Sequence, residues 1–188
     1  LYGLYISICT ICGAIASGKY DVAIMLPKRK KGALNILALW LLIAFLFSIL
    51  ILSLLNVFHE LIFLNKEYEL LLKYYGIIPL SVFLISINQS LINLLNRNQQ
   101  YNNIAKQNIL KSASNSLSSL VLGLKKISSG LIVGHLISLI IISAWNIKCC
   151  LKELNWKLIT QNSMIKNFKN YIDFIKFSTL SNLFNSFS

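Results

Sequence analysis

Between Gly32 and Phe58 the chain runs for 27 residues, GALNILALWLLIAFLFSILILSLLNVF, without one charged side chain. At 1.5 Å of rise per residue, an α-helix of that length exceeds the roughly 30 Å hydrocarbon layer of a bilayer. The stretch therefore predicts a transmembrane helix. Lys28, Arg29, Lys30 and Lys31 stand immediately before it. Short basic flanks are retained on the cytoplasmic side during insertion, so the same stretch predicts an orientation.

The remainder of the chain is compatible with this anchor. Hydrophobic residues make up 56% of it and charged residues 13%, well below the roughly one quarter charged of a soluble domain. A net charge of +12 would point a soluble protein toward nucleic acid. Here the cations sit between apolar spans, where positive-inside topology accounts for them and nucleic acid is not expected.

Read in order, the chain predicts spans near residues 1–18, 34–58, 74–96, 105–124 and 127–147, and the start of another near 177. The first is at the lower length limit. A signal peptide competes there, because Ala14, Ile15 and Ala16 loosely resemble a cleavage site, but no basic segment precedes it and several spans follow. Gly76 and Pro79 are expected to kink the third span rather than end it. The 105–124 span is the least apolar, and topology decides it. If it crosses, all of the 18 Lys and Arg residues except Lys66, Lys73, Lys125 and Lys126 face the cytoplasm. If it does not, the lysines after Ile147 move outside and the asymmetry nearly vanishes. The expectation is an all-α, polytopic membrane bundle of about five spans, a single partial transporter domain over 1–188. The missing Met and the unclosed apolar pattern at Asn185–Ser188 suggest a piece of a longer chain.

Gly18, Lys19, Tyr20 and Asp21, then Ala23–Ile24, Leu26–Pro27, a basic run, and Asn35, Leu37 and Ala38 follow one another in an order that resembles the oligosaccharide flippase family, the Wzx-type O-antigen translocases of the multidrug/oligosaccharidyl-lipid/polysaccharide exporter superfamily. Ile78–Leu84 with Asn96 and Arg97, and Tyr171–Ser188, extend the resemblance over nearly the whole chain. Lys19 stands where that family often has Arg, and Asp21 where it often has Glu, so both charges are kept. The resemblance implies helices two to six and the start of seven of a larger bacterial inner-membrane transporter. It further implies movement of undecaprenyl-diphosphate-linked oligosaccharide across the bilayer for polysaccharide or lipopolysaccharide O-antigen biosynthesis, by alternating access, with no cofactor and with polysaccharide assembly proteins as partners. A multidrug exporter or a peptidoglycan lipid-precursor flippase is the alternative within the superfamily. A membrane polysaccharide polymerase is the alternative from another class, although it would call for a large external loop with charged catalytic residues.

Candidate site residues follow from polar groups in apolar spans. Asn108, Ser112, Asn115, Ser119 and Gly123 recur at steps of three and four and share one helix face, with Lys111 close in angle. This face either lines a hydrophilic cavity or packs against another helix. Lys111 either snorkels to the cytoplasmic surface or meets an anion. Lys19 and Asp21 either contact substrate phosphate and form an inner gate or serve ordinary topology and loop pairing. His135, mid-span, either carries a coupling proton or donates one hydrogen bond to a neighbouring helix. Ser86, Gln89, Asn93 and Asn96 make a second polar stripe at the inner end of their span. Gly130, Gly134 and Ser138 are expected to permit close helix approach. Cys9 and Cys12 form a C-x-x-C inside an apolar span and read, like Cys149 and Cys150, as inert thiols. No nucleophile with its base, phosphate-binding glycine loop or metal cluster stands out, so catalysis is not expected.

Overall fold

A computed structural model describes residues 2–17, 20–62, 76–125, 129–151, 153–154, 158–160 and 162–171. All regular structure among them is helical: α1 (Tyr2–Ser17), the single turn α2 (Tyr20–Ala23), α3 (Lys30–Ile62), α4 (Ile77–Arg97), α5 (Tyr101–Leu124) and α6 (Gly130–Cys150). Residues 162–171 add one further helical stretch. Lys19 and the span expected near 177 lie outside the described residues.

Three of these helices are long and apolar enough to cross a membrane: α3 over Lys30–Val57, α4, and α6. The first is the anchor foreseen from its uncharged run. It starts just after Pro27, and Gly32 makes the tight entry possible, since a Cβ there would lie 2.8 Å from the Cβ of Pro27. α1 is apolar but short, with 16 residues spanning about 24 Å. α5 is as long as its neighbours but much more polar.

Side-chain bonds fix the directions of the helices. α1 runs parallel to α4, because Tyr5 meets Ser81 while, further along, a Cβ on Gly13 would lie 3.6 Å from Ile85 Cγ2; beyond α1, Asp21 of α2 meets Asn93. α3 runs antiparallel to α4, with Ser48 Oγ donating to the carbonyl of Pro79 at 2.8 Å and Arg97 Nη2 donating to the carbonyl of Pro27 at 3.0 Å. α6 is parallel to α4 through Asn88–Ser143 and Cys150–Leu91. α5 turns back along α6, where Ser118 Oγ donates to the carbonyl of Gly134 at 3.0 Å. One end of the bundle therefore holds Asp21, Lys30, Arg97 and Glu153, together with the start of α5 and the end of α6. At the other end the described cation is Lys125.

Two packing devices matter for the site. Between α5 and α6 the glycines do what their spacing suggested. A Cβ on Gly134 would lie 2.7 Å from Ser119 Oγ and 3.1 Å from Ser119 N, so only glycine lets the two backbones come this close. Between α4 and α5 the chain reverses in a Schellman turn: Gln100 N–H donates to Leu95 O and Gln99 N–H to Asn96 O. Gln99 occupies the left-handed position at φ 56°, which most side chains disfavour.

The buried apolar side chains form two clusters along α3. One gathers Tyr5, Cys9, Trp40, Ala44 and Val82. The other, toward the basic end, gathers Ile24, Leu34, Leu37, Leu94 and Leu95. Opposite them α3 exposes Leu42, Phe45, Leu46, Ile49 and Leu50, an apolar face suited to lipid.

Candidate functional site

α4 sits at the centre, in contact with α1, α2, α3, α5 and α6. Its buried positions include Ser81, Ser86, Asn88, Ser90 and Asn93, an unusual polar load for a helix apolar enough to span. Polar groups taken out of water require partners: Ser86 and Ser90 bond back to the α4 carbonyls of Val82 and Ile87, and Ser81, Asn88 and Asn93 each reach a different neighbour. At the first level Ser81 Oγ and Tyr5 Oη share a hydrogen bond of 2.6 Å, and Tyr5 Oη lies 3.2 Å from His135 Nδ1 with the rings edge to face. At the second, Asn88 Nδ2 donates to Ser143 Oγ at 3.0 Å while Asn146 Nδ2 donates to Asn88 Oδ1 at 2.9 Å. At the third, Asn93 Nδ2 donates to Asp21 Oδ2 at 3.1 Å, and Asp21 is only 4% exposed.

Beside this ladder a small cleft of about 60 Å³ opens between α4, α5 and α6. Its polar lining comes from Asn88, Gln89, Gln107 and Lys111, against apolar walls that include Ile85 and Ile92. Gln107 is 2% exposed, yet its Oε1 has no hydrogen-bond partner. Lys111 is also within electrostatic reach of His135. The cleft thus brings together one cation, one buried free acceptor and amides that can both donate and accept, which suits water or a hydroxylated or anionic ligand. Among the described residues, no group of three His, Cys, Asp or Glu side chains converges as a metal would require.

The stripe read along α5 is divided by the fold. Lys111 turns to the cleft, and Asn115 is half-buried with its Oδ1 unpartnered. Asn108 and Ser112 are exposed, and Ser112 Oγ bonds back to the carbonyl of Asn108 at 3.2 Å. The surface that α5 presses against α6 is instead built around Ser118 and Ser119. A third face is apolar and open, with Ile109 71% exposed and Leu124 84% exposed. Asp21 is joined to the ladder and not to the Lys111 cleft, and His135 lies between the two.

Tyr5, Ser81, Asn88, Gln107, Ser143 and Asn146 were not singled out from sequence. The available signal was an amide or hydroxyl inside an apolar run, but such a residue marks a site only when its surroundings are known; the cross-helix partners of Asn88 and Asn146 lie 51 or more residues away along the chain, and Gln107 stands out only by lacking one.

No family model matches the chain, and no curated protein or solved structure matches it either.

Proposed function

We propose that this chain forms part of a flippase that carries undecaprenyl-diphosphate-linked oligosaccharide across a bacterial inner membrane for polysaccharide or O-antigen assembly. The observation that carries the reading is the double nature of α5. It exposes an apolar face through Ile109, Leu117, Leu120 and Leu124 and, on a different side, a polar face through Asn108 and Ser112. Only the first suits lipid. In a bilayer the second calls for water or protein, as does the cleft of Lys111 and Gln107 that adjoins it. A hydrated glycan and a diphosphate need such a surface to cross hydrocarbon, and translocation alone breaks no bond.

In this reading α1 and α5 also cross the membrane, making five spans with the basic end at the cytoplasm and the resembling family's remaining helices supplying the opposite wall of the passage. Lys111, Asn108, Ser112 and Asn115 face the substrate. Lys19 and Asp21 serve the inner gate, and His135 carries the coupling proton. Cysteines at Asn102 and Asn162 of the full-length protein are then expected to react with an impermeant thiol reagent only after the membrane is opened, and one at Lys125 without opening. Labelling of Asn162 from outside would remove the five-span topology.

The functional test uses full-length protein in cells lacking their own flippase. Surface polysaccharide is expected with Lys111→Arg and is expected to fall about tenfold with Lys111→Gln at equal membrane level, because a charge-assisted contact is worth about 1.5–3 kcal/mol. Failure of the unaltered protein to restore polysaccharide overturns the flippase reading.

A further inference from the structure

A second cavity lies at the basic end, between the start of α3 and helical residues 162–171. It has a volume of about 230 Å³ and is lined by Arg29, Lys31 and Lys166 with the polar side chains of Asn35, Ser163 and Asn167. Among the described residues no carboxylate lines it. Glu153 is taken by Lys30, with Nζ and Oε2 2.5 Å apart.

This cavity is built rather than incidental. Asn35 is fully buried; its Nδ2 donates to the carbonyls of Lys31 at 2.7 Å and Leu158 at 3.0 Å, while its Oδ1 accepts from Thr160 N–H at 2.9 Å. Asn167 Nδ2 donates to the carbonyl of Gly32 at 3.4 Å, which ties the far wall to α3. These bonds hold Lys166 opposite Arg29 and Lys31. Arg29, Lys31 and Lys166 are exposed at this cavity and give it a positive lining, and the start of a 33-residue helix adds the positive end of its dipole.

We propose that this cavity binds the phosphate of an anionic phospholipid headgroup. Arg29, Lys31 and Lys166 supply the charge, and Ser163 and Asn167 supply hydrogen bonds. The lipid, rather than phosphate from solution, is favoured by position. The cavity stands where the uncharged run begins, at the depth of headgroups. Lys31, Leu42 and Ile49 also fall on one side of α3, since steps of 11 and 18 residues are close to whole numbers of turns. Acyl chains leaving the cavity would meet the exposed Leu42, Leu46 and Ile49.

The test is native mass spectrometry of full-length protein exchanged into equimolar phosphatidylglycerol and phosphatidylcholine. One retained phosphatidylglycerol is expected. Retention is expected to fall about fivefold for each of Arg29→Gln, Lys31→Gln and Lys166→Gln, at about 1 kcal/mol per cation. Lys166→Arg keeps it. Lys106→Gln and Lys148→Gln remove the same charge elsewhere at this end and also leave it unchanged. Equal loss in those two variants would mean a diffuse basic belt and overturn the site, as would loss in Lys166→Arg or absence of any lipid preference. Displacement by millimolar inorganic phosphate would overturn the lipid assignment.

Discussion

α4 and α5 are consecutive helices of similar length, both rich in Asn and Ser, and they use those residues in opposite ways. α4 turns its polar side chains inward, where Asn88 has both its amide nitrogen and its oxygen paired, to Ser143 and to Asn146, and Asn93 holds Asp21; the one gap in this network is on α6, where Asn146 Oδ1 has no partner. α5 turns Asn108 and Ser112 outward and leaves Gln107 and Asn115 with unpartnered oxygens. A closed network inside a membrane specifies which helices sit together. An open one leaves capacity for something outside the chain. Polar residues in a span therefore carry different meanings according to whether their partners are present.

The contrast breaks most visibly if α5 is pushed off α6. Gly134→Leu is expected to cost at least 3 kcal/mol, the upper end of the roughly 1–3 kcal/mol for overpacking, because Ser119 backbone stands in the way. Loss of cooperative unfolding of full-length protein in mixed detergent micelles would register it; an unchanged transition would mean that α5 is held by other contacts. Asn88→Leu comes next. It strands the Asn146 amide, takes from Ser143 the bond that Asn88 donates while leaving its own bond to the carbonyl of Leu139, and is expected to cost about 2 kcal/mol in the same measurement, whereas Asn108→Leu on α5 is expected to shift it by less than about 0.5 kcal/mol. Equal costs would erase the distinction between the closed and the open helix.

Lys111→Gln sharpens the comparison from the other side, with polysaccharide export falling about tenfold and the unfolding transition unmoved. A gain rather than a loss is expected at the turn joining the two helices. Gln99→Gly removes a left-handed strain and is expected to stabilise by about 1 kcal/mol, visible as a raised midpoint. A lowered midpoint would show that the Gln99 side chain contributes something its backbone does not.

Much of the architecture was legible from local chemistry. The uncharged run to Phe58 dictates α3 wherever its neighbours lie, because no soluble surface can cover so much apolar area. The glycine steps of α6 announced a close helix, and the basic run before Gly32 marked the end of the bundle where Arg97 and Lys30 now lie. The direction of the Asn108–Asn115 stripe was not legible. Helical periodicity places residues on a common face but is silent on which neighbour that face meets, so Lys111 and Gln107 turn to a cleft while Asn108 and Ser112 remain outside. Nor could spacing join Asp21 to Asn93 or Tyr5 to Ser81 and His135, since a hydrogen bond across helices depends on their relative rotation and depth. Sequence alone located the three apolar helices α3, α4 and α6 and the basic run that enters α3. Tertiary structure decided which polar groups are satisfied, because satisfaction belongs to pairs of residues brought together by packing.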